Sequence, residues 1–104
     1  MKFSAWENND GNSCHRQYSG KTEFIEEVKA ALHQIIEPSR EEKGNLQYDL
    51  HTESEQKGSF VFFERWASDE ALEKHNKTEH FKQLVKAIDG KLESLEIKKV
   101  KQIA

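Results

Sequence analysis

The chain has 104 residues, with 16 Lys and Arg against 19 Asp and Glu and a formal net charge of −3. This balance excludes the basic surface of a typical nucleic-acid binder, and no apolar run approaches the roughly 18 residues of a membrane span. Hydrophobic residues at 35% and charged residues at 34% describe one small domain, lean enough to complete its burial against a second copy. The N-terminus lacks the apolar stretch of a signal peptide. The single Cys14 has no internal disulfide partner, which points to a reducing compartment, by default the cytoplasm.

Residues 1–19 are the least legible. Phe3 and Ala5 share one face of a short strand within Lys2–Trp6, and Asn8–Ser13 reads as turn or loop. No stable element is expected between Asn8 and Ser19. The chain therefore divides into an atypical segment, 1–19, and a folded domain, 20–104.

Thr22 is a candidate helix cap, with Glu23, Glu26 and Glu27 at the positive end that follows. Phe24, Ile25, Val28, Leu32, Ile35 and Ile36 recur at helical spacing as one apolar stripe. Pro38 kinks or ends this helix, and Gly44 is the candidate stop. Asn45–His51 alternates, with Leu46, Tyr48 and Leu50 on one face.

After a polar connection, Ser59–Trp66 forms a second strand. Phe60, Phe62, Glu64 and Trp66 share one face; Val61, Phe63 and Arg65 share the other. With apolar residues on both faces, this strand belongs at the centre of a sheet. Ser68 caps the next helix, whose inner face carries Ala71, Leu72 and His75. Asn76-Lys77-Thr78 breaks it, and Thr78 caps another helix with Phe81, Leu84, Val85 and Ile88. A last strand is expected at about Leu95–Lys101. The residues expected in the core include Phe24, Val28, Leu32, Phe62, Leu72, Leu84 and Val85.

The order is that of a split βαβ, ferredoxin-like α+β fold: an antiparallel sheet with helices on one face. The face carrying Tyr48, Phe60 or Phe62, and Trp66 needs a cover, and a second copy is the simplest one.

The chemistry concentrates between Phe60 and Phe81. His75 titrates near neutrality and suits proton transfer, although a lone His on an apolar helix face also reads as a core group held by a partner. Glu64 points inward and is either paired, with His75 or Tyr48, or functional. Trp66 and Phe62 are wall or plain core, and Tyr48 packs or donates its phenol. His75 and His80 lie five apart across the break at Thr78, whereas helical zinc pairs lie four apart, so no metal site is expected. Cys14 and His15 are sequence neighbours in a polar stretch and make no convincing thiol–imidazole pair.

Gly44-Asn45-x-x-Tyr48, then Glu64-x-Trp66-x-Ser68-x-x-Ala71-Leu72-x-x-His75, then Thr78-x-His80-Phe81, resembles the antibiotic biosynthesis monooxygenase family. The likeness covers about residues 20–101. It implies a homodimeric α/β barrel. It also implies a small quinol monooxygenase activity that needs neither metal nor flavin, because the aromatic substrate, once deprotonated, passes an electron to O₂ itself. On that reading His75 takes or steers the proton, and Tyr48, Phe62, Glu64 and Trp66 line the substrate pocket.

Haem-degrading relatives place an iron-binding His further along than His75, where this chain has Asn76 and Lys77. Two other readings stay open on the same fold. One is an isomerase of a small phosphorylated or hydroxylated ketone, with Arg65 and Lys74 at the pocket mouth. The other is a non-catalytic stress-response or ligand-binding barrel.

The departure from the family lies ahead of Gly20-Lys21-Thr22-Glu23-Phe24, where an apolar first strand is expected and a polar segment stands. Either Lys2–Trp6 supplies a displaced strand followed by a long loop, or the segment is aberrant, as a local reading-frame slip would make it.

Overall fold

The computed structural model describes residues 12–101, 103 and 104. Strand β1 spans Ser13–Gly20, β2 Asn45–Thr52, β3 Ser59–Trp66 and β4 Leu92–Val100. They form one antiparallel sheet in the order β2-β3-β1-β4. Helices α1 (Ile25–Gln34) and α2 (Ile36–Arg40) connect β1 to β2, and α3 (Asp69–His75) and α4 (Glu79–Ile88) connect β3 to β4. This is the ferredoxin-like α+β arrangement, with β3 inside the sheet as its two-sided apolar pattern requires.

The first strand corrects the sequence reading. It lies at Ser13–Gly20, where no stable element was expected, and it runs straight into the following helical segment. The proposed strand at Lys2–Trp6 lies outside the described residues. The inward positions of β1 are Cys14, Arg16 and Tyr18, one of them charged, so its alternation looks polar. Context makes it a strand: β3 pairs along one edge and β4 along the other.

Two local assignments also change, at Thr22 and Gly44, and the break expected from Pro38 falls at Ile35. Thr22 opens a single 3₁₀ turn, Thr22–Phe24, and does not cap a helix; Lys21 precedes that turn without a side-chain hydrogen bond. The helical segment breaks at Ile35, because Pro38 has no N–H to give the Gln34 carbonyl. Gly44 is not a left-handed helix stop, since positive φ falls only at Gly58 and Gly90 among the described residues. Its need for hydrogen in place of a side chain is steric: a Cβ there would lie 2.4 Å from the Ala71 Cβ. Ser68 and Thr78 cap as expected, accepting from the Ala71 N–H (3.0 Å) and the Phe81 N–H (3.2 Å).

The helices pack Val28, Leu32, Ile35, Leu72, Leu84 and Ile88 against Cys14, Tyr18, Tyr48, Phe60, Phe62 and Trp66 of the sheet. Burying each large apolar side chain contributes about 1.5–3 kcal/mol. Tyr48, Phe60, Phe62 and Trp66 are thus already covered by the chain's own helices. This overturns the expectation that their face awaits a second subunit. The open face is the opposite one, where Phe63 is 37% exposed between the rings of His15 and His51. Val85 is 52% exposed, because α4 packs on α1 and leaves β4 largely uncovered.

Leu32→Ala or Leu84→Ala should lower stability by about 2–5 kcal/mol in denaturant titrations, with Val85→Ala much milder. Gly44→Ala should cost about 1–3 kcal/mol through overpacking. Combined with Ala71→Gly, it should lose less than the two single losses summed, since the double change removes the clash.

Candidate functional site

His75 ends α3 and sits inside the molecule, fully buried. The Thr78 hydroxyl donates to the His75 carbonyl (2.8 Å) while capping α4, so one residue fixes how the two helices join. The His75 ring lies against Trp66 (centroids 4.6 Å), Phe81 (5.3 Å) and Tyr48 (5.4 Å). Tyr48 in turn packs on Phe62 at 4.6 Å. Four of the five residues expected to form the site, His75, Trp66, Tyr48 and Phe62, therefore make one aromatic cluster. The fifth, Glu64, joins through Trp66, whose Nε1–H donates to its Oε1 at 3.0 Å.

Glu64 pairs with neither His75 nor Tyr48. Its other oxygen, Oε2, lies 3.0 Å from Arg16 Nε, and both side chains are buried. Arg16 Nη2 also donates to Asn76 Oδ1 (2.7 Å), and its guanidinium sits 5.1 Å from the Phe81 ring centroid. Burial works against the Arg16 charge, but Glu64 and nearby hydroxyl and thiol groups outweigh it and raise the pKa. Burial pushes Glu64 upward, with Arg16 opposing. Burial raises the Tyr18 phenol to about 12 and raises Tyr48 further, so both stay protonated.

His75 Nδ1 lies 2.7 Å from Glu42 Oε2, which also bonds His80 Nε2 at 2.6 Å. Burial lowers the His75 pKa, and the Glu42 contact only partly offsets that. The ring is neutral at pH 7. With its proton on Nδ1 facing Glu42, Nε2 carries a free lone pair and has no hydrogen-bond partner among the described residues.

An apolar cavity of about 250 Å³ opens between α4 and the β1–β4 side of the sheet, lined by Arg16, Tyr18, Phe81, Val85, Leu95 and Ile97 among others. An apolar cavity of roughly 150 Å³ takes a benzene-sized ring. His75 does not line it; Phe81 stands between. A groove of about 770 Å³ runs beside α3, but charged Glu42, Glu70, Glu73, Lys43, Lys74 and Lys77 surround it, which suits an aromatic ring poorly. Arg65 projects from the open face of the sheet, away from Glu64, so it cannot join Lys74 at a shared pocket mouth.

Arg16, Glu42, Asn76 and Tyr18 escape sequence reasoning. The inward Glu64 called for a buried cation, and Cys14-x-Arg16-x-Tyr18 alternates correctly. The one arginine in a polar run hid that signal.

The family model described as antibiotic biosynthesis monooxygenase matches residues 13–87, from the first residue of β1 into α4. The chain belongs to the antibiotic biosynthesis monooxygenase family. Within it, the chain is 37% identical over 65 residues to the Bacillus subtilis (strain 168) protein YcnE, whose name proposes a monooxygenase; that match covers 62% of this chain and 68% of YcnE. Protein PA3566 from Pseudomonas aeruginosa has a similar structure, with a TM-score of 0.84 and 30% identity over 88% of this chain and 93% of that one. A crystal structure named antibiotic biosynthesis monooxygenase superposes with a TM-score of 0.83 at 30% identity, covering 88% of this chain and 98% of the other. The function of the chain is monooxygenase-like in this family sense. No helix of the described residues is long and apolar enough to cross a membrane.

Arg16→Met should destabilise by about 3–5 kcal/mol, because it leaves Glu64 buried without its counter-charge. Adding Glu64→Leu should recover much of that loss in the same denaturant titration. Burial also raises the Cys14 pKa and removes the thiol from solvent. Thiol reagents at pH 8 should label it only as fast as the chain unfolds.

Proposed function

We propose that the chain oxidises a quinol or related electron-rich aromatic with O₂, without flavin or metal taking part in the reaction, as a homodimer. The observation that supports this most is the His75 imidazole: Nδ1 held by Glu42, Nε2 buried and free, an aromatic wall around it. Such a group is a neutral base aimed into an apolar interior.

The substrate ring occupies the cavity beside Phe81. A side-chain movement of Phe81 brings the substrate hydroxyl to His75 Nε2. His75 takes the proton, and the Arg16 guanidinium at the cavity wall stabilises the oxyanion left behind. The electron-rich anion then reduces O₂. One oxygen atom enters the product and the other leaves as water, the electrons coming from the substrate.

A second reading rests on the enclosure of His75. It is 0% exposed and boxed in by its own neighbours, as a non-catalytic ligand-binding barrel would have it. Oxygen uptake separates the two. With a hydroquinone in chelator-treated buffer, after subtraction of spontaneous oxidation, uptake should be catalytic, and His75→Ala should slow it about 10²–10⁴-fold with the fold retained. A folded wild-type chain that binds aromatics but consumes no O₂ would favour the second reading.

The open sheet face supports the homodimer. Val61 and Phe63 sit there among His15, Gln17 and His51, an apolar centre with a polar rim. Sedimentation should give about twice 12.1 kDa, and Phe63→Asp should shift the chain to monomer. The free buried thiol fits residence in the cytoplasm.

A further inference from the structure

We propose that Glu42, His75 and His80 form a binding site for a divalent transition-metal ion of the zinc type. Three separate segments converge there: the α2–β2 loop, the last residue of α3 and the first turn of α4. One ligand atom from each, Glu42 Oε2, His75 Nδ1 and His80 Nε2, lies within 4.8 Å of the other two. Two imidazoles and a carboxylate suit zinc, copper(II), nickel or iron(II), and suit neither magnesium and calcium nor the soft thiophilic ions. The sequence spacing of five argues against a helical pair. The break at Thr78 turns the two rings toward a common point, and Glu42 supplies the third ligand from 33 residues upstream of His75.

The cluster is hydrogen-bonded as it stands and must widen between Glu42 and each ring to admit an ion. Both imidazoles now bond the same carboxylate oxygen, at 2.7 and 2.6 Å. Tetrahedral bonds of about 2.0–2.1 Å place neighbouring ligand atoms roughly 3.3 Å apart. Each His–Glu spacing must therefore open by about 0.6–0.7 Å on that geometry.

The groups able to move are the partly exposed ones, Glu42 at 14% and His80 at 22% of side-chain area. His75 is held against the tilted Trp66 ring, and the Gly44–Ala71 contact keeps the Glu42 loop against α3. Protons need not leave the rings: each imidazole shifts its N–H to the nitrogen that faces away from the ion, which for His75 is Nε2, so the ion-bound form is the one without a free base there. Glu42 lines the open groove beside α3, which supplies an entry path and a water for the fourth position. The groove's lysines and glutamates balance, so affinity comes from the three ligands and not from a general anionic field.

The inference goes beyond the oxidation reading, and the test reads no turnover. The full-length chain, stripped with a chelator, is titrated with Co²⁺ and with Zn²⁺. One ion per chain should bind, Co²⁺ should develop the intense visible absorption of four- or five-coordination, and Zn²⁺ should raise Tm until the site saturates. His80→Ala and Glu42→Gln should each weaken binding by more than the roughly 10–100-fold that even an outer-shell loss costs. His33→Ala, on α1, should leave it unchanged. In the unaltered protein the imidazole C–H resonances of His75 and His80 should be the ones that shift with Zn²⁺, so the proposal stays testable if a variant fails to fold. No saturable binding overturns it. So does binding that survives both substitutions, which would place the ion at His15 and His51 or elsewhere on the surface.

Discussion

The buried ion pair between Arg16 and Glu64 is the contact around which the interior is arranged. It ties together the two central strands, neighbours in the sheet, on the face that the helices cover. Its reach does not stop at the sheet: the same guanidinium holds Asn76, one residue beyond His75, and lies over Phe81 in the first turn of α4. Glu64 meanwhile fixes the Trp66 indole, against which the His75 ring packs at a tilt. Buried charge pairs are seldom the cheapest way to fill a core. Here the pair sets the orientation of the aromatic wall and of the helix junction together, which an aliphatic pair of the same volume would not do.

His75 is consequently a residue with two separate environments, one for each ring nitrogen. Nδ1 faces a carboxylate that it shares with His80; Nε2 faces the aromatic interior. Chemistry on a deprotonated aromatic needs the second, and ion binding uses the first. Glu42 controls both, because whatever it holds on Nδ1 determines whether Nε2 bears a lone pair or a proton.

Much of this is legible in the sequence. The periodicities of Phe24–Ile36, Asn45–His51, Ser59–Trp66 and Phe81–Ile88, with caps at Ser68 and Thr78, are enough for the ferredoxin-like order. Alternation alone placed Glu64, Trp66 and Phe62 on one side. What alternation cannot say is which side the helices cover, since both faces of β3 carry phenylalanine, and the helices cover the face that the pattern leaves open. Nor could it show a strand whose inward residues include an arginine, because that arginine is tolerable only once Glu64 has been brought beside it. Glu42, in a charged stretch with Glu41 and Lys43, has no local signature at all. Its role exists only where the Gly44–Ala71 approach sets the loop down beside α3.

The sheet order also constrains how the chain reaches this state. β1 is among the first described segments in sequence, yet its partners are β3 and β4, so Ser13 pairs with Arg65 on one edge and with Val100 on the other. Until both arrive, an early strand carries two open edges and a buried-to-be arginine still in water. The β2–β3 hairpin and the capped α3–α4 pair form from local contacts, but closure of the sheet waits on pairings across most of the chain, which slows folding. During synthesis, β1 stays unpaired on one side until β4 has left the ribosome. The polar character that hides this strand from pattern reading, with His15, Arg16 and Gln17 at its middle, is what keeps it soluble and unattractive to other strands during that interval.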